Sequence, residues 1–473
     1  MKPYKREIEN RAREMKENKM KTMMMANLAI AAATALSAFA DVSVRDFGAK
    51  GDGVTKDTAA IQRAIDACAV KGGGRVTVPK GSWLSGTIYL KSGVELHLDE
   101  GATLMASGDL FDYNAEDAYP ENWSCLSEGW RGHHLIIARD AENVSITGKG
   151  VIDGNGRAFF GPFVPRPHYG DFTWRRGFVT TKDLKNACRP GQLLSFVLCR
   201  GVKVREVTFR DSPCWTCHFH GCTDVLAEDV TICNPLWHAQ TDGFDIDCSR
   251  RVVVRNCSVE TGDDAFTIRG DSRHLWNRAQ PCGEVMISNC VAACASSGVR
   301  IGVGVGVIDG VTVRDVRFRE AGHALLVQTS YPVNKSPGTT IRNVVFENVS
   351  CGDSGHAFLV TAGSVYADAL LENIVFRNCR MRTTGALIVE GAGKVRPKNI
   401  SFDDCELTLA PYIFPRRQKS DWEVVNLANT NNAAVCIEKA NGVNFSNFKI
   451  NREPDLAAGR ERDFLVVDAE VRK

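Results

Sequence analysis

The sequence predicts an all-β chain, folded as a single right-handed parallel β-helix with a capping helix at its N-terminal end. Two observations carry this. A short phrase recurs from the middle of the chain to its end: a polar residue, Val or Ile alternating with polar residues, then Asn or Asp and a small or apolar residue. Copies run Gly201–Val207, Asp224–Val230, Arg251–Cys257, Glu284–Cys290, Gly310–Val316, Asn343–Val349, Asn373–Cys379 and Asn399–Cys405. Their spacing is roughly 23 to 33 residues, the range of stacked β coils. Alternation at period two argues strands, and no helical pattern intervenes, which favours a β solenoid over a βαβ fold. A last copy, Gly442–Phe448, lies further along than the period predicts.

The elements follow in chain order. Lys19, Lys21 and the Met23–Met25 run precede an apolar stretch, Leu28–Leu36, and Ala38-Phe39-Ala40 forms a small-residue cleavage site. This reads as an export signal over residues 1–40. The apolar stretch is too short to span a bilayer. A charged segment, Met1–Glu17, stands ahead of it; a start at Met20 or Met23 would remove that extension. The expectation is an exported chain, periplasmic or extracellular, that begins near Asp41 and forms one domain over 41–473, with no membrane span. Asp57-Thr58 is placed to cap a helix whose apolar face is Ile61, Ala64, Ile65 and Cys68, at i, i+3, i+4 and i+7. Gly72-Gly73-Gly74 ends it, and it is read as the plug that covers the first coil. Pro162–Pro190, rich in Pro, Arg and aromatics, breaks the period and is read as a long excursion beside the binding face. After Leu407 the rhythm fades, which predicts a C-terminal cover that folds back.

Of 473 residues, 44% are hydrophobic, enough for a large core, and the net charge of +2 points to neither nucleic acid nor an anionic membrane as partner. No cofactor and no metal is expected, and the chain is expected to be a monomer. The 17 cysteines are an odd number. Several occupy one point of the repeat (Cys257, Cys290, Cys379, Cys405), which favours a stack of small buried side chains over a disulfide framework. Cys214-Trp-Thr-Cys217 with His218, His220 and Cys222 invites a zinc site, but in a strand Cys214 and Cys217 would face opposite sides.

A second ladder aligns six segments: Asp242–Asp247, Asp264–Arg269, Ser297–Gly302, His323–Gln328, His356–Thr361 and Gly385–Glu390. Phe244, Phe266, Val299, Leu325, Phe358 and Leu387 form one inward column, and Ile246, Ile268, Ile301, Val327, Val360 and Val389 the next. Three outward columns remain: Asp242, Asp264, Ser297, His323, His356, Gly385; then Asp245, Thr267, Arg300, Leu326, Leu359, Ile388; then Asp247, Arg269, Gly302, Gln328, Thr361, Glu390. The first column stacks Asp242 and Asp264 on neighbouring coils, with Asp263 beside them. Like charges held close shift each other's protonation, so one carboxyl can act as acid while another acts as base. That pair of roles is the equipment for hydrolysing a glycosidic bond. Asp245 and Asp247 read as structural or rim acids.

The stretch Asp46-Phe-Gly-Ala-Lys-Gly-Asp-Gly53, then Val151-Ile-Asp-Gly-Asn-Gly156, Ser212-Pro-Cys-Trp215, Gln240-Thr-Asp-Gly243 and Gly262-Asp-Asp264 together resemble glycoside hydrolase family 28, the polygalacturonase-like enzymes, from Val44 to about Asn378. The resemblance implies an inverting glycosidase acting on pectic polysaccharide or its oligosaccharides. Asp263 would be the general acid, and Asp242 and Asp264 would orient and deprotonate the attacking water. Inversion leaves room for that water, with carboxyls about 6.5–9.5 Å apart. Two departures stand out. Ser297-Gly298 replaces the family's His-Gly, and Leu326-Val327-Gln328 replaces its uronate-gripping Arg-Ile-Lys. Neighbours compensate in one reading: His323 for the missing His, and Arg300, with its capacity for bidentate binding, for the missing cation. In the other reading Arg300 pairs with Asp264 and serves structure. Arg269 and Gln328 complete the candidate substrate-binding set, and His356 reads as structural. The lost cations point to a less acidic substrate, such as a rhamnose-containing backbone, and the Pro162–Pro190 excursion to exo action. A polysaccharide lyase and a non-catalytic carbohydrate-binding β-helix are the alternatives.

Overall fold

A computed structural model describes residues 41–114, 132–161, 189–271, 275, 278–331, 336–411, 433–454, 456 and 461–473. The export signal and most of Pro162–Pro190 lie outside these. Among the described residues the strands form two sheets, one of 25 strands and one of 12, and all strand pairings are parallel. The chain is the expected right-handed parallel β-helix.

The repeated phrase pairs with itself from coil to coil. Val202, Val225, Val252, Val285, Val311, Val344, Ile374, Ile400 and Val443 stand in one register. The residue closing each copy sits in the left-handed region, Glu206 (φ 62) in the first and Asn or Asp in the rest, as Asn256 (φ 57), Asn289 (φ 52), Asn378 (φ 49) and Asp404 (φ 54) do. Only short polar side chains tolerate that backbone well. Their amides also join coils: Asn289 Nδ2 donates to Asn256 Oδ1 at 2.8 Å, and Asn378 Nδ2 to Asn348 Oδ1 at 2.7 Å. The next residue then turns inward, and Cys257, Cys290, Cys379 and Cys405 are buried, unpaired thiols. The stacked-thiol reading holds.

The interior is a set of aligned columns. Phe244 and Phe266 stack with centroids 5.9 Å apart. Phe346, Phe376, Phe402 and Phe445 continue this on the opposite wall at 5.0, 4.7 and 5.0 Å. Burying apolar side chains layer upon layer supplies the main stabilising term, since a single coil cannot cover its own apolar face.

The helix is Thr58–Val70, and it buries Ile61, Ala64, Ile65 and Cys68 as the periodicity requires. Asp57 stands at its N-cap position but makes no capping bond. Its carboxylate accepts instead from the N–H groups of Lys50 (2.7 Å) and Gly51 (2.9 Å), tying the preceding loop to the helix start. The C-terminal reading needs correction. Val435–Glu438 and Asn441–Ser446 pair with Leu387–Glu390 and Lys398–Asp403, and Phe464–Val467 and Val471–Arg472 pair onto them in turn. The chain goes on coiling rather than folding back. Residues 412–432, outside those described, separate the copies in sequence and hide a period that the backbone keeps.

Candidate active site

The 12-stranded sheet carries the site. Its register matches the sequence ladder: Phe244, Phe266, Val299, Leu325 and Phe358 align, and so do Thr267, Arg300, Leu326, Leu359 and Ile388. A bulge shifts the register after Ile268, so Gly270 rather than Arg269 meets the end of the Ser297–Gly304 strand. Two earlier strands, Leu194–Val197 and Cys217–His220, extend the sheet and set His218 beside Asp245 and His220 beside Asp247. Cys217 points into the core while His218 and His220 take the outer face, so the Cys-His cluster is split across the sheet and is no zinc site.

Asp242 and Asp264 stand just before their strands, where the chain turns onto the sheet. Gly243 explains their direction. A Cβ there would meet the Ala265 carbonyl at 2.5 Å and the Val259 methyl of the interior at 2.8 Å, so the position faces inward and its neighbour Asp242 outward. Gly262 leaves no room either: a Cβ would collide with the His238 carbonyl oxygen. The threonines ahead of the acids lock the turns. Thr241 Oγ1 donates to His238 O at 2.8 Å and accepts from Gly262 N at 3.0 Å, and Thr261 Oγ1 donates to the Thr241 carbonyl. Buried Asn234 ties three segments together, through Thr216 Oγ1 (2.8 Å), Thr241 O (3.2 Å) and Ser212 N (2.9 Å). Sequence reasoning missed Asn234; its only signal is a lone Asn between two strands.

One oxygen from each of Asp242, Asp263 and Asp264 lies within 4.8 Å of the others. Asp242 and Asp264 are buried and Asp263 is half-buried. Arg300 reaches back across one coil to Asp264: Nε donates to Oδ2 and Nη2 to Oδ1 at 3.3 Å, while Ser297 N donates to Oδ1 at 2.6 Å. Burial pushes this carboxyl up, but the guanidinium and these donors outweigh it and hold it below the usual carboxylate range. Asp264 is therefore a fixed anion. Three carboxylates this close also resemble a site for a hard cation, yet Arg300 already neutralises Asp264 and engages both its oxygens.

The other candidates divide. Arg300 also stands 5.5 Å from the Tyr331 ring, so its charge is shared within the protein. Arg269 lies 3.3 Å from Asp247 and 4.5 Å over the Trp215 ring. The His323 ring packs tilted against that of His356, with centroids 5.2 Å apart. Burial, with His356 and Arg300 beside it, lowers its pKa to about 3, so His323 is a neutral imidazole and does not replace a lost cation. Gln328 is 2% exposed, and neither atom of its amide is hydrogen-bonded. The triad comes together as the ladder requires; the four binding candidates do not gather into one cationic patch.

The family model for glycosyl hydrolases family 28 matches residues 68–408. The chain belongs to that family. It is 29% identical over 310 residues to the exo-poly-alpha-D-galacturonosidase of Dickeya chrysanthemi, covering 58% of this chain and 50% of that one, so it spans about half that relative's length. It is 24% identical over 357 residues to a probable polygalacturonase of Vitis vinifera, covering 65% of this chain and 69% of that one. Among solved structures it resembles the Yersinia enterocolitica family 28 exopolygalacturonase, with a TM-score of 0.70 and 21% identity over 92% of this chain and 78% of that one.

Proposed function

We propose that this family 28 protein is an exported glycosidase that hydrolyses pectic polysaccharide or its oligosaccharides with inversion at the anomeric carbon. The observation that carries the reading is the three-aspartate cluster on one face of the β-helix. Asp263, the most exposed of the three, donates its proton to the leaving oxygen. Water bound between Asp242 and Asp264 attacks the anomeric carbon from the opposite side and gives up a proton to Asp242, since Asp264 is committed to Arg300. The carboxyl oxygens lie within 4.8 Å of one another, closer than the roughly 6.5–9.5 Å expected of an inverting pair, yet one water making two hydrogen bonds of about 2.8 Å spans about 4.6 Å and fits between Asp242 and Asp264; the first-formed anomer decides the outcome. Exo action is supported by the names of the Dickeya and Yersinia relatives.

The groups beyond Asp264 favour a neutral sugar there. Ser297 Oγ, His323 Nδ1 and both amide atoms of Gln328 are buried and unbonded, and each is uncharged. Both arginines nearby are ion-paired. A desolvated uronate without a free cation is costly, whereas sugar hydroxyls satisfy such groups. A pectic backbone that alternates galacturonate with a neutral sugar fits best.

The test is a panel of pectic oligosaccharides, with the released sugar and its first-formed anomer followed by NMR. Hydrolysis with an inverted anomer, faster on rhamnose-containing than on all-galacturonate chains, is expected. Retention overturns the mechanism. An unsaturated product absorbing in the ultraviolet establishes a lyase. Binding without turnover makes the protein a carbohydrate-binding β-helix.

A further inference from the structure

We infer that Arg189 is a positioning residue for the general acid, acting through Gln240 to decide which oxygen of Asp263 carries the transferable proton. The inference rests on the reading of Asp263 as that acid.

Arg189 is fully buried, although it follows directly on a long segment rich in charges. A buried guanidinium is costly unless its donors are placed. Its Nη1 donates to the Pro213 carbonyl at 2.6 Å and its Nη2 to Gln240 Oε1 at 2.7 Å. Aromatic rings pack beside it. The Phe160 ring lies 5.9 Å from the guanidinium, and the His238 ring packs edge-on against Phe160 at 4.5 Å. Burial, and the positive charge of Arg189, keep His238 neutral, with its pKa lowered to about 3.

Gln240 is the working link. Its backbone is left-handed, φ 59, a conformation that costs a residue with a long side chain about 1–2 kcal/mol. That backbone aims its N–H at Asp263, donating to Oδ2 at 3.0 Å. The clamp on its side chain holds the strained backbone in place. An Asp263 oxygen that accepts an N–H hydrogen bond is the carbonyl-type oxygen of the protonated acid, so the proton sits on Oδ1. In the reaction that proton passes from Oδ1 to the glycosidic oxygen. The bond from this oxygen to the anomeric carbon breaks, its electron pair stays on the leaving oxygen, and Asp263 becomes a carboxylate. Gln240 N–H and the charge of Arg189 behind it stabilise that carboxylate as it forms, where a water-facing acid would need solvent to reorganise. Asp242, Asp264, Arg300, Tyr331 and Cys294 also face Asp263. None of them bonds to Gln240 in the contacts described.

The experiment compares Arg189→Met, Gln240→Gly and Asp263→Asn with the wild-type chain, assayed on polygalacturonate and on a rhamnogalacturonan oligosaccharide over a full pH range, with melting followed in parallel. Gly at 240 keeps the left-handed turn and the N–H but removes the arginine's acceptor, so it decides the matter if Arg189→Met does not fold. Both are expected to lower kcat about ten- to a hundredfold with KM within about twofold. Both should also move the alkaline limb of the kcat profile to higher pH, because the ionised acid loses a charge-backed donor. Lower melting temperatures with an unmoved limb would make Arg189 merely structural and overturn the inference. So would wild-type kcat in both variants while Asp263→Asn is inactive. Activity surviving in Asp263→Asn overturns the acid assignment itself, a distinct failure.

Discussion

The outward face of the 12-stranded sheet changes character part-way along. In one column, His218, Asp245, Thr267 and Arg300 occupy successive coils; on the next coils the same position holds Leu326, Leu359, Ile388 and Cys436. The strands pair in parallel on both sides of the change, and this column stays in register across it. The second half forms an apolar cluster of its own, with Ala386 and Ala433 and with Leu465 packed against it, apart from the main core. The first half holds buried charges and unbonded hydrogen-bonding groups, each of which costs stability. A β-helix has no structural use for the polar arrangement, since its inner columns already hold the coils together. The backbone supplies a ruler, and the alternate side chains decide which rungs work and which only seal.

That contrast makes predictions, the largest first. Asp263→Asn should lower kcat/KM by about 10²–10⁴-fold and leave the melting temperature nearly unchanged; a large loss of stability instead would place Asp263 with the sealing groups. Arg300→Ala strands Asp264 as an unpaired buried anion and should destabilise the fold by about 3–5 kcal/mol in urea titration. If it weakens substrate binding alone, Arg300 serves ligand rather than Asp264. Leu359→Ala, in the apolar half, should cost about 2–5 kcal/mol of stability with kcat/KM unchanged, and any change in substrate preference would extend the working half past Arg300.

Acid should act on the polar and enclosed histidines. Burial lowers the pKa of His134 to about 4, and of His238 and His323 to about 3. The unfolded chain binds protons on them from about pH 6.5 downward while the native state does not. Stability should therefore fall from pH 6.5 towards 4 by about 1.4 kcal/mol per pH unit for each fully shifted group, measurable by urea midpoints. The smallest effect is at the far end. Burial, with Glu438 alongside, raises Glu390 to about 7. A raised carboxyl loses native stability as pH climbs from the ordinary value near 4.5 to about 7, so Glu390→Gln should gain about 1 kcal/mol at pH 8 and nothing at pH 4.

Period and alternation made much of this legible. The repeat gave the coils, the inward columns gave the register, and the register set Asp242 beside Asp264. The apolar spacing over Ile61–Cys68 gave the helix face. What escaped depends on partners brought from elsewhere in the chain. Asp57 looks like a helix cap, but a nearby loop presents two better-placed N–H groups. Arg300 admits two roles in sequence, and only the reach of its side chain across one coil places it on Asp264. His323 looks cationic until its burial is known. Gln192, fully buried with an unbonded amide one coil before Trp215, and the arginine clamp on Gln240 carry no local pattern at all. The bulge at Gly270 and the continued coiling after residue 432 break period without breaking fold.

The stacked thiols carry a consequence for how the chain comes to be. Fourteen of the fifteen described cysteines are buried, with Cys233 alone exposed. Each is shielded only once its own coil and the next have closed. Outside a reducing compartment, folding is a race against oxidants. A solenoid is well suited to winning it, because each new coil docks on the one before and seals its sulfurs in sequence.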